Sequence, residues 1–96
     1  MRVTFNALAE RELNDAAAYY ERAQAGLGAE FILEIERLVV EATDLPQAGF
    51  TIGREVRRRL CPRFPYAILY RPMADELRIL AVMNLRRRPS YWYGRT

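Results

Sequence analysis

The chain has 96 residues, 51% of them hydrophobic, and a formal net charge of +3 from 15 basic and 12 acidic side chains. That length fits one domain over residues 1–96, and a domain so small buries less than ~70% of the surface its unfolded chain exposes, so it is expected to be marginal without a partner. The single cysteine rules out an internal disulfide, and a chain with no histidine lacks zinc or iron sites of the usual kind, so neither metal nor cofactor is expected.

Arg2-Val3-Thr4-Phe5 puts Val3 and Phe5 on one face and predicts a short strand. Asn6 stands where a helix N-cap belongs. In residues 7–24, Ala9, Leu13, Ala16, Ala17 and Tyr20 recur at three-to-four spacing, which predicts an amphipathic helix. Ala25-Gly26-Leu27-Gly28 is a break whose glycines suit a helix C-cap. Leu27, Phe31, Ile35, Leu38 and Ala42, widened by Ile32 and Val39, predict a second helix over about 28–44 that Pro46 ends. So short a break makes the two helices an antiparallel hairpin.

Beyond Pro46-Gln47-Ala48-Gly49 the pattern becomes that of strands. Glu55–Cys61 sets Val56 and Leu60 on one face, Arg57 and Arg59 on the other. Pro62-Arg63-Phe64-Pro65 is a turn, Tyr66–Tyr70 a strand, Pro72-Met73-Ala74-Asp75 a second turn, and Leu77–Met83 the most apolar strand. Short links predict an antiparallel meander. The expected fold is α+β in the order β-α-α-β-β-β. A helical hairpin covers one face of an antiparallel three- to four-stranded sheet, and Pro89 opens a short C-terminal helical tail that returns across it.

All 15 basic residues are arginine. Residues 1–50 hold four against nine acids, a net of −5, and residues 51–96 hold eleven against three, a net of +8. Such segregation points the second half at something anionic. Guanidinium groups grip phosphate and carboxylate in two-pronged fashion, and interleaved aromatic rings suit stacked bases. Arg57, Arg58, Arg63, Arg86, Arg87 and Arg88, with Tyr91 and Trp92, are therefore the candidate binding residues. Tyr66 and Tyr70 read as core. Three adjacent like charges at 86–88 repel unless something uses them.

An acid–base set is harder to find. There is no histidine or lysine, and a tyrosine would move a proton only if arginines pulled its pKa down. Glu55 and Asp75 read as solvated acids, and Asp75 and Glu76 at a turn do not make a magnesium site. The chain thus leans away from being an enzyme. Cys61 reads as a small buried hydrophobe. Phe31, Ile32, Ile35, Leu38 and Val39 cover more than one helical stripe, and with Tyr19 they form a candidate surface for a partner segment. The N-terminus has no apolar stretch of the secretory kind and no run approaches the ~20 residues of a membrane span, so a cytoplasmic protein is expected.

The wording Ala16-Ala17-Ala18-Tyr19-Tyr20, Gly26-Leu27-Gly28 before Phe31, Val56-Arg57-Arg58, Arg63-Phe64-Pro65-Tyr66, Tyr70, and Ile79-Leu80-Ala81-Val82 before Arg86-Arg87-Arg88-Pro89-Ser90-Tyr91-Trp92 spans nearly the whole chain. In this order it resembles the RelE/ParE superfamily of toxins from bacterial type II toxin–antitoxin modules, most closely the ParE-like branch. The resemblance implies a growth-arresting toxin neutralised by a co-expressed antitoxin. ParE-like members act on DNA gyrase, whereas RelE-like members cleave mRNA on the ribosome. Asn84 stands where many relatives have histidine, and the lysines of some ribonuclease members are missing; both departures disfavour cleavage. The arginines named above, Tyr91 and Trp92 are then expected to bind the target. Tyr19, Phe31, Ile32, Ile35, Leu38 and Val39 would bind the antitoxin. In the ribonuclease alternative Arg58, Arg63, Arg87 and Tyr91 would serve cleavage. The free chain is expected to be poorly soluble or dimeric, and its assemblies a toxin homodimer or a hetero-oligomer with antitoxin.

Overall fold

The computed structural model describes residues 1–96. The elements are β1 (Arg2–Phe5), α1 (Ala7–Ala23), α2 (Leu27–Asp44), β2 (Phe50–Gly53), β3 (Val56–Leu60), β4 (Tyr66–Pro72) and β5 (Glu76–Asn84). They form one five-stranded sheet in the order β1-β5-β4-β3-β2. The last four strands are the expected antiparallel meander with one strand more. β1 joins it parallel to β5, which makes the sheet mixed.

The helical hairpin begins as its sequence suggests. Asn6 Oδ1 accepts from the Leu8 N–H at 2.7 Å and caps α1. The glycine break works differently from expectation. Gln24, in extended conformation, closes α1, and Gly26 at φ 89° is the N-cap of α2. With no cap side chain of its own, α2 borrows one from α1. The Glu21 carboxylate accepts from the Gly26 N–H at 2.9 Å and the Gly28 N–H at 3.0 Å. Glu21→Ala is expected to cost about 1 kcal/mol in a denaturant titration, the usual loss of an N-cap acceptor. Gly28 is where the two helices touch. A Cβ there would lie 2.5 Å from the Ala17 carbonyl oxygen. Gly28→Ala is expected to destabilise by about 1–3 kcal/mol through overpacking, despite alanine's better helix propensity.

One sheet face packs on the helices. Phe31, Ile35 and Leu38 of α2 are buried against Ile68, Tyr70 and Ile79. Tyr20, Phe31, Phe64 and Tyr66 form an aromatic cluster with ring centroids 4.8 to 6.3 Å apart. Tyr70 reaches through this core to donate its hydroxyl to the Pro46 carbonyl at 3.1 Å, which pins the α2–β2 link.

The second sheet face has its own small core of Val56, Ala67, Leu69, Leu80, Ala81, Met83 and Trp92. A bulge makes it. The register moves from Leu69↔Ala81 to Tyr70↔Ile79, so Leu80 is the extra residue and the consecutive Leu80 and Ala81 both join the second core. The tail crosses this face as expected, yet it is not a regular helix. Its backbone bonds skip three residues, from Tyr91 to Arg88, Tyr93 to Ser90 and Arg95 to Trp92, which makes a run of turns. No helix is long and apolar enough to cross a membrane.

Candidate binding face and the clip that holds its tail

Strand alternation sorts the arginines of β3. Arg57 and Arg59 point to the helical side, and Arg58, opposite Leu69, to the second face. The helical-side pair is consumed within the fold. Arg57 donates to the Gly49 carbonyl at 2.9 Å and to Gln47 Oε1 at 2.8 Å. Arg59 reaches Glu41 at 3.4 Å and the Leu45 carbonyl at 3.3 Å. Arg63, in the β3–β4 turn, pairs with Glu30 of α2 at 2.8 Å, which holds its pKa above the ordinary arginine value. Arg57 and Arg63 were expected to face a target; instead they tie the sheet to the helical hairpin. The charge difference between the two halves of the chain is in this part an internal match.

Arg54, Arg58, Arg71, Arg86, Arg87 and Arg88 make no side-chain hydrogen bond or ion pair. Arg58 lies over the exposed ring of Phe50, with 5.1 Å from its Cζ to the centroid. Arg87 lies over Tyr91 at 4.4 Å. Between Arg58 and Arg87 opens a cavity of about 190 Å³, walled by Ile52, Met83, Leu85, Pro89, Trp92 and Tyr93. A wider groove of about 570 Å³ lies between α1 and the ends of β4 and β5, with Asp15 and Tyr19 on one wall and Arg86 and Arg87 on the other.

The tail that carries these residues is fastened by Glu12 of α1. Its carboxylate accepts from the Tyr91 hydroxyl at 2.9 Å, from Arg95 Nη1 and Nη2 at 2.8 and 3.0 Å, and from the Val82 N–H at 3.1 Å. Arg95 also donates to the Leu80 carbonyl at 3.1 Å. β1 covers β5 only as far as Ile79, so these side chains supply the partners that a longer β1 would have given. Glu12 was not anticipated, although a signal exists. It sits three residues after Ala9 and four before Ala16, on the buried stripe of α1.

Tyr91 was expected to move a proton only with its pKa pulled down. Burial, and then the charge of Glu12, push it well above the ordinary tyrosine value. The phenol therefore keeps its proton at neutral pH. A raised folded pKa gives stability that is fully present below the unfolded value near 10 and lost as pH rises through the folded one. Tyr91→Phe is expected to flatten the fall in melting temperature above pH 10, as followed by circular dichroism. Trp92 was expected at the target surface, but it is only 7% exposed and anchors the second core. Of the residues expected to meet an antitoxin, Phe31, Ile35 and Leu38 are core and unavailable. Ile32 and Val39 are half-buried, and Tyr19 is exposed. The apolar side chains that α2 leaves in solvent are Leu33 and Val40.

The family model for the ParE toxin of the type II toxin–antitoxin system, parDE, matches residues 3–89. The chain belongs to the ParE toxin family. A solved structure described as a chromosomal ParDE TA system from P. aeruginosa shares the fold of this ParE-family chain. Its TM-score is 0.62 at 17% identity, over 88% of this chain and 95% of that one. Among curated protein sequences none matches. This ParE-family chain thus presents two distinct surfaces, an apolar and acidic helical side and a basic second face crossed by a tail that Glu12 fastens.

Proposed function

We propose that this chain is the toxin of a type II toxin–antitoxin module, that it arrests growth by binding and poisoning DNA gyrase through its second face, and that a cognate antitoxin neutralises it by covering the helical side. Membership of the ParE family supports the module, and one observation supports the face. The arginines without a hydrogen-bond or ion-pair partner include Arg58 and Arg87, which line one cavity with no acid in its walls, and Arg86 and Arg88, which flank Arg87 in the chain. Charges so placed gain their stabilisation from an anionic ligand. Gyrase with its bound DNA offers such a surface.

The mRNA endonuclease alternative requires a group to take a proton. Tyr91 holds its own, and its hydroxyl is engaged with Glu12. The antitoxin would reach Tyr19, Ile32 and Val39 and the apolar groove of about 490 Å³ between Phe5, Leu13, Val39 and Val40. A ligand of the folded state at a thousandfold excess over Kd stabilises it by ~4 kcal/mol, so co-expression is expected to rescue yield. The deciding experiment is a supercoiling assay with purified toxin. Inhibition of gyrase with accumulation of cleaved DNA is expected, while messenger RNA stays intact during growth arrest. Normal supercoiling at excess toxin would reject gyrase as the target.

A further inference from the structure

The cavity between Arg58 and Arg87 has an unusual chemical character. Its charged side chains are both guanidinium groups, and no carboxylate lines it. Two nitrogens of its wall residues, Arg58 Nε and Trp92 Nε1, are buried donors that find no acceptor anywhere in the chain. Buried donors are normally paired, so Arg58 and Trp92 each gain a missing acceptor when a ligand rich in acceptors draws them toward the cavity. The Arg58 guanidinium makes no hydrogen bond or ion pair and lies over the ring of Phe50, which is open on the edge strand, so its charge is left for an anion. The exposed ring of Tyr93 stands at the rim, edge-on to Trp92 with centroids 4.8 Å apart.

We propose that this cavity seats a phosphate of a single-stranded nucleic acid, with the neighbouring base stacked on Tyr93, and that the chain holds the strand without cutting it. The inference rests on the second face being the target face and adds what part of the target it grips. A tetrahedral phosphate takes donors from several directions, as β3 and the tail present them here, whereas a carboxylate takes them in one plane. An exposed ring beside such a seat suits an unpaired base. The same neighbourhood offers no group to take a proton for cleavage. The cavity is lined by no acid or histidine, and Glu12, which lines the groove on the α1 side, is saturated with hydrogen bonds.

Trp92 is the only tryptophan in the chain, so its emission reports on the cavity. A short oligothymidylate added to the purified toxin is expected to change Trp92 emission saturably and to remain full length on a denaturing gel. Arg58→Gln and Arg87→Gln are each expected to weaken binding ~10-fold and to lower the slope of log affinity against log salt by about 0.7, the value for one lost phosphate contact on a single strand. Arg87 is exposed, so its variant is expected to melt with the parent and tests the seat even where Arg58→Gln folds poorly. Polyglutamate that binds equally well would overturn the proposal in favour of an acidic protein surface. An equal response to duplex DNA would remove the stacked base, and cut product would remove the claim of binding alone. Gyrase inhibition that persists while no oligonucleotide response is seen would sink this inference and leave the proposed target standing.

Discussion

Glu12→Ala is expected to melt roughly 15 °C below the parent chain. The size follows from what the carboxylate holds. Arg95 keeps only 10% of its side chain exposed, and without Glu12 it becomes an uncompensated charge between the tail and β5. The Val82 N–H loses its acceptor on a strand edge that β1 does not reach. Removing one partner of a buried pair costs 3–5 kcal/mol, and because Glu12 keeps 21% exposure the lower end applies, about 3 kcal/mol. In a domain of this size each 1 kcal/mol moves the midpoint by about 4–8 °C. Glu12→Gln keeps one carbonyl oxygen, enough for the Val82 N–H or the Tyr91 hydroxyl but not both in place, and loses the charge, so it is expected to fall between the two. Trp92 emission distinguishes local from global loss, since a tail that detaches first shifts the emission before helicity falls. A Glu12→Ala chain that melts with the parent would show that the apolar contacts of Trp92 hold the tail unaided.

The hairpin and the meander were legible because their signals are local. Stripes at three-to-four spacing, a glycine break and two short proline-bounded turns leave little choice of partner. β2 was not legible. Phe50 and Ile52 alternate, but only four residues lie between Gly49 and the end of the strand at Gly53, and pairing with β3 makes them a strand. The parallel seat of β1 beside β5 depends on contacts more than seventy residues away, which no local pattern encodes. The binding face was half legible. Alternation along Arg57-Arg58-Arg59 separates the middle arginine from its neighbours, and the sequence shows that much. It does not show that Glu41 and Glu30 of α2 wait on the other side. Nor does it tell Glu12 from a solvated acid, because the ligands of that carboxylate come from β5 and the tail.

The division of the arginines gives the sharpest expected contrast between fold and function. Replacing Arg57 and Arg59 with glutamine is expected to cost about 1–2 kcal/mol, since each holds the α2–β2 link through hydrogen bonds at the helix side. Growth arrest is expected to survive at temperatures where that variant stays folded, because neither side chain reaches the second face. Replacing Arg58, Arg86, Arg87 and Arg88 with glutamine should leave the melting temperature unchanged or slightly raised. These cations lose no hydrogen bond or ion pair, and relief of their mutual repulsion offsets the lost contacts of Arg58 with Phe50 and of Arg87 with Tyr91. The same variant is expected to lose inhibitory potency by ~100-fold or more, because several charge-assisted contacts to an anion vanish together. Plating efficiency on induction reads the biological effect, and a melt by circular dichroism confirms that the fold is intact. Continued killing by the second-face variant would refute the assignment of that surface. Loss of killing by a folded Arg57/Arg59 variant would move the target to the helical side, where the antitoxin is placed. The two outcomes are separable because the strand alternates. Adjacent residues of β3 serve opposite layers, so a change at Arg58 and a change at Arg59 test different faces from neighbouring positions in the chain.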